Sequence, residues 1–132
     1  MNPLNGRPFA IVSAERRIYT GEVNAMRSAE LASFLRFLGL HHVDATGSYE
    51  GREEESFLVY TPDESALNSV KGLARYFAQD SVLTVGTDGA ARLWFHDDSG
   101  QALGLFRQVS EAKARAKVAW TFVDGLYFIC AE

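Results

Sequence analysis

The sequence predicts an α+β fold of ferredoxin-like type, a β-α-β-β-α-β sandwich with a β-rich C-terminal extension. Three observations carry this. Phe9 to Ala14 is a short apolar run with β-branched content; two later stretches repeat apolar residues at helical spacing; and strand-length runs bracket both. The chain has 132 residues, 47% of them hydrophobic, which suits one domain, 1–132, with enough apolar material for a core.

The first strand runs from Phe9 to Ala14 and ends at the polar turn Glu15-Arg16-Arg17. A helix follows from about Glu22 to Leu38, because Val23, Met26, Leu31, Phe34, Leu35 and Leu38 recur at intervals of three, four and seven and Gly39 offers the left-handed stop. His41 to Ser48 reads as the second strand and Glu54 to Tyr60 as the third, an antiparallel pair joined through Tyr49-Glu50-Gly51-Arg52. Thr61-Pro62-Asp63-Glu64 then reads as a capping box, with Thr61 as cap and Pro62 in the first helical position. The helix it opens carries Ala66, Leu67, Val70, Leu73, Ala74 and Phe77 on one face and stops before Asp80.

Ser81 to Val85 is a fourth strand, Thr87-Asp88-Gly89 a hairpin turn and Ala91 to Phe95 a fifth strand. Beyond Asp97-Asp98-Ser99-Gly100, Ala102 to Val109 reads as strand, Ser110 to Lys117 as a short helix or long turn, and Val118 to Ile129 as strand broken at Asp124-Gly125. In this order two helices cover one face of an antiparallel sheet.

Composition narrows the function classes. A net charge of -4 disfavours a general nucleic-acid surface. The basic segment Glu111 to Lys117, near Trp94, Trp120 and Tyr127, is the one place that resembles a single-strand platform, but in an acidic chain it reads rather as a solvated helix. A single cysteine, Cys130, excludes an internal disulfide. No apolar run approaches the ~20 residues needed to cross a bilayer, and Met1 to Pro8 lacks the character of a signal peptide. A cytoplasmic protein without membrane contact is expected.

No catalytic motif stands out. His41-His42 would point to opposite faces of a strand, and His96-Asp97-Asp98 reads as a hairpin tip, so no metal is expected. Ser13, Ser56 and Ser81 lack a nucleophile context, Cys130 reads as a buried thiol, and no glycine-rich phosphate loop or cofactor motif is present.

The informative residues are polar ones on apolar faces. At 100° per residue, Asn24 and Arg27 share the arc of Leu31, Phe34, Leu35 and Leu38, with Glu30 on its shoulder. A buried polar group left unmatched costs about 1–3 kcal/mol, so partners are expected. Candidates are Ser13, Glu15 and Arg16 after the first strand and Glu54, Glu55 and Ser56 at the start of the third. Alternation puts Glu55 with Phe57 and Val59, and Glu54 with Ser56, Leu58 and Tyr60. A bidentate pair between Arg27 and a glutamate would account for both types. The cluster serves either as a structural network or as a ligand pocket formed by Asn24, Arg27, Glu55, Ser56, Ser13 and Arg16, with an arginine meeting an anionic group.

The blocks Phe9 to Glu15, Asn24 with Arg27, Glu55 to Val59 and Phe77 to Leu83 resemble, over roughly Pro8 to Val85, the small bacterial and tailed-phage proteins grouped as domain of unknown function 3293. The later part, with Leu103-Gly104 and Gly125 to Phe128, is more similar to the phage-type members, whereas Glu15-Arg16-Arg17 departs from the Trp-Asn-Pro of bacterial ones. The resemblance transfers no mechanism. It implies a phage or mobile-element accessory protein, a non-enzymatic inhibitor in host takeover or counter-defence, with a host protein or a small anionic ligand as partner. Two alternatives stand beside it: a virion component, and a small nucleotide enzyme with Glu54 or Glu55 as base and Arg27 on phosphate.

Overall fold

The computed structural model describes residues 5–132, so the first four residues of the segment weighed as a leader lie outside the described residues. The elements in chain order are β1 (Phe9–Ser13), α1 (Gly21–Phe37), β2 (His42–Tyr49), β3 (Arg52–Tyr60), α2 (Glu64–Tyr76), β4 (Ser81–Val85), β5 (Ala90–Phe95), β6 (Gly100–Val109), α3 (Glu111–Arg115), β7 (Ala119–Val123) and β8 (Leu126–Ala131). The eight strands form one closed antiparallel barrel in the order β1-β3-β2-β7-β8-β6-β5-β4.

The expected ferredoxin-like sandwich is overturned. Strands β4-β1-β3-β2 do lie side by side, but β5 to β8 extend the sheet from β4 and return to pair Ala45–Tyr49 of β2 with β7. The physical reason lies in β3, where Phe57, Leu58, Val59 and Tyr60 are all at most 3% exposed. A strand apolar on both faces needs cover on both. Helices α1 and α2 cover one face, packing Leu31, Leu35, Val70, Leu73 and Phe77 against Ala10, Val12, Phe57 and Val59. The other face, with Leu58 and Tyr60, turns into the barrel against Phe9, Ala45, Val85, Phe106, Val123 and Phe128. A third, smaller cluster joins Ala114 of α3 to Trp120 and Ile129 outside β7 and β8.

Thr20 caps α1 by accepting from the Val23 N–H at 3.2 Å. In α2 the cap is Asp63 rather than Thr61, its carboxylate accepting from the Ala66 N–H at 2.8 Å. Asp63 sits directly before the first helical residue, Glu64, whereas Pro62 and Thr61 lie outside the helix. Among the described residues no helix is long and apolar enough to cross a membrane.

Candidate functional site

The expected cluster forms where β1 ends and β3 begins, at one mouth of the barrel. Antiparallel pairing sets Ser13 opposite Ser56, and the Ser13 hydroxyl donates to the Glu55 carbonyl at 2.9 Å while accepting from the Glu15 N–H at 3.1 Å. The first turn of α1 passes over the same rim. Asn24 is 4% exposed and clamps the backbone of Arg16: its Oδ1 accepts from the Arg16 N–H at 2.9 Å and its Nδ2 donates to the Arg16 carbonyl at 3.0 Å.

Arg27 is turned inward but pairs with carbonyl oxygens rather than a glutamate. Its Nε donates to the Ala14 carbonyl at 2.7 Å, a second guanidinium nitrogen donates to the Phe77 carbonyl, and its plane lies near the Tyr19 and Phe77 rings. Ala14 follows β1 and Phe77 caps α2, so both carbonyls come from element ends where ladder and helix partners run out. A guanidinium makes charge-assisted bonds to both and fixes three elements together. The bidentate Arg27–glutamate pair is thereby replaced.

The glutamates divide as strand alternation dictates. Glu55 lies on the helix side and is exposed, and its N–H donates to Oε2 of Glu15 at 2.5 Å. Glu54 shares the barrel face with Ser56 and is half-buried. Burial pushes its carboxyl pKa up; the Arg52 guanidinium works against that, the Glu15 charge adds to it, and Arg17 opposes it more weakly. Arg52 stands 3.8 Å from Oε1 of Glu15, and Gln79 Nε2 donates to the Glu15 carbonyl at 3.1 Å.

The rim therefore presents Glu54, Glu15 and Arg52 toward solvent above buried Ser13 and Ser56, while Asn24 and Arg27 brace it from behind. Among the described residues the Ser56 hydroxyl makes only a long 3.5 Å contact to the Glu54 carbonyl, which leaves it able to bond elsewhere. Arg16 contributes its backbone to the clamp, and its side chain is half-exposed. Sequence reasoning missed Arg52 by assigning it to the turn. Yet Arg52, Glu54 and Ser56 alternate along β3, and Tyr49 lies directly across from Arg52.

A profile for the S-Adenosylmethionine lyase family matches residues 10–131, from β1 to the last residue of β8, and so takes in every residue of this rim. The chain belongs to the S-adenosylmethionine lyase family. Among curated proteins no match to it is found. Lyase-family membership replaces the resemblance to domain of unknown function 3293, which rested on blocks carrying no catalytic motif. It also overturns the reading as a non-enzymatic inhibitor acting on a host, since a lyase family points to an enzyme, and it gives no support to a phage origin.

Proposed function

We propose that this protein is an enzyme that cleaves a carbon–sulfur bond of S-adenosylmethionine at the rim formed by Glu54, Glu15 and Arg52. The family match over residues 10–131 carries this reading, and the chemistry of the rim supports it.

S-Adenosylmethionine brings its own leaving group, a sulfonium, and its own nucleophile, an α-carboxylate placed to close a five-membered ring. Attack of one carboxylate oxygen on the carbon next to sulfur forms a C–O bond. The C–S pair departs to sulfur, and the products are a neutral thioether, 5′-methylthioadenosine, and an amino-lactone. No water, oxidant or enzyme nucleophile enters the balance. Such a step needs the chain folded back on itself and little else, and orientation of this kind supplies several kcal/mol of a barrier, roughly 7–11 in the best cases.

Ring closure brings a negative and a positive charge together and cancels both, so surroundings less polar than water favour it. The α-ammonium keeps its charge throughout. A carboxylate paired with it anchors the substrate equally before and during reaction and so serves positioning. Glu54, half-buried and facing the barrel, is the residue we assign to that pairing, with Glu15 beside it and the Ser56 hydroxyl as a neutral partner. The exposed Tyr49 ring across from Arg52 offers a face to the sulfonium.

Incubation of the purified chain with S-adenosylmethionine, followed by mass spectrometry and NMR, tests the reading. Equal amounts of 5′-methylthioadenosine and amino-lactone are expected. Unchanged substrate, or S-adenosylhomocysteine, would overturn it, and an unsaturated four-carbon amino acid would replace ring closure by proton abstraction.

A further inference from the structure

We propose that the cavity at the opposite mouth of the barrel is a second binding site, for a small organic anion bearing a carboxylate or phosphate group on an apolar body. It lies at the start of β1, where Phe9 pairs with Val85, and so at the far end of that strand from Ser13 and the Glu54 rim.

The cavity has a structural cause. β5 pairs with β6 only as far as Leu105, and from there β6 turns to pair with β8 through Val109. The β4–β5 turn is left standing off from the second half of β6, joined to it by the Phe106 N–H donating to the Gly89 carbonyl at 2.9 Å. A wedge of about 470 Å³ opens between them, a volume within the range of small-ligand pockets.

Its lining supplies two kinds of surface. Val85, Leu105 and Phe106 are apolar, and Phe106 is held by stacking on Phe128 at 4.8 Å between ring centres. Arg7 and Arg107 are cationic. Arg7 lies over the Tyr60 ring, its guanidinium carbon 3.7 Å from the ring centre, and among the described residues Arg107 makes no ion pair. Asp88 also lines the wedge, but its carboxylate accepts from the Ala90 N–H at 3.0 Å within its own turn. Beneath Arg7, Tyr60 is 3% exposed and its hydroxyl has no hydrogen-bond partner among the described residues, a cost that buried polar groups seldom carry without a reason. Arg7, over the barrel-side Tyr60, and Arg107, on the outer face of β6 beside Ile129, flank the wedge from its two sides, and cations at the edge of an apolar surface favour an anion with a greasy body over either feature alone.

The test is a titration of the ¹⁵N-labelled full chain with four probes: benzoate, phenyl phosphate, inorganic phosphate and benzyl alcohol. Support would be saturable shifts at the Gly86, Gly89 and Arg107 amides with benzoate or phenyl phosphate, at least tenfold tighter than with the other two. Arg107→Ala and Arg7→Ala, both at exposed positions, should each weaken that binding at least fivefold, the first without lowering Tm and the second with only the small loss of its contact to the Tyr60 ring. Equal binding of benzyl alcohol, equal binding of inorganic phosphate, shifts confined to other regions, or unaltered affinity in both variants would each overturn the proposal.

Discussion

Asn24 grips Arg16 by both backbone groups, accepting from its N–H at 2.9 Å and donating to its carbonyl at 3.0 Å. A side-chain amide used in this way stands in for a strand partner and holds the β1–α1 connection in one shape. Asn24→Ala should lose both bonds and leave the Arg16 backbone unmatched, lowering stability by about 2–3 kcal/mol. Urea unfolding of the two proteins measures it; a change below ~0.5 kcal/mol would mean that the clamp is replaced by water.

Arg27 joins β1, α1 and α2 through the Ala14 and Phe77 carbonyls. Arg27→Ala should therefore destabilise by about 3 kcal/mol, and Arg27→Lys by less but still measurably, since an ammonium cannot span both oxygens in the guanidinium plane. If the residue also binds substrate, the Lys variant will show a raised KM out of proportion to its stability loss.

Glu54 couples activity to pH. Burial raises its pKa in the folded protein, so the folded state holds that proton more tightly than the unfolded chain does. Its contribution to stability is therefore present at low pH and lost as pH rises through the folded pKa. Ionised Glu54 strains the fold at neutral pH, and Glu54→Gln should raise the unfolding midpoint slightly there while cutting kcat/KM for S-adenosylmethionine roughly 100-fold, mainly through a raised KM. In the parent protein kcat/KM should fall on acidification with a midpoint raised above the ordinary glutamate value. A variant with normal kcat/KM, or an acid limb at or below the ordinary glutamate value, would remove Glu54 from the site.

Cys130 lies on β8 with its thiol pushed up to about 11 by burial alone. At pH 8 its thiolate fraction is then ~10⁻³, and alkylation by iodoacetamide should run roughly two orders of magnitude slower than for an exposed thiol, recovering in urea.

Gly104 has φ +83° and its missing side chain leaves room for the Ala131 carbonyl, which a Cβ would meet at 2.5 Å. Both strain and collision oppose any larger residue. Gly104→Ala should cost about 2–4 kcal/mol by thermal unfolding, the loss falling on the seam between β6 and β8.

Part of this was legible in the residues alone. Rotating α1 predicts Asn24 among the core positions, and it is buried there, because a helix imposes its period whatever it packs against. The closing of the sheet was not legible. Strand patterns are local, whereas the seam between β2 and β7 joins Ala45 to Val123 with most of the chain between them. A clue did exist in Phe57-Leu58-Val59-Tyr60: four consecutive apolar residues do not suit a sheet with one open face. The same ambiguity hid the site, since alternation separates Glu54 from Glu55 without saying which side becomes the interior. In the proposed reaction the enzymatic reading is hidden for a chemical reason: a substrate that carries both its nucleophile and its leaving group requires no catalytic motif of its host.

Because β8 is hydrogen-bonded to both β6 and β7, the ring of strands lacks its last link until residues 126–131 are in place. A chain emerging from the ribosome must wait for them with β6 and β7 each still unpaired on one side, exposed to neighbouring nascent chains. Closure of the barrel is thus deferred until β8 has been made, and slow synthesis of that stretch would lengthen the interval in which aggregation competes.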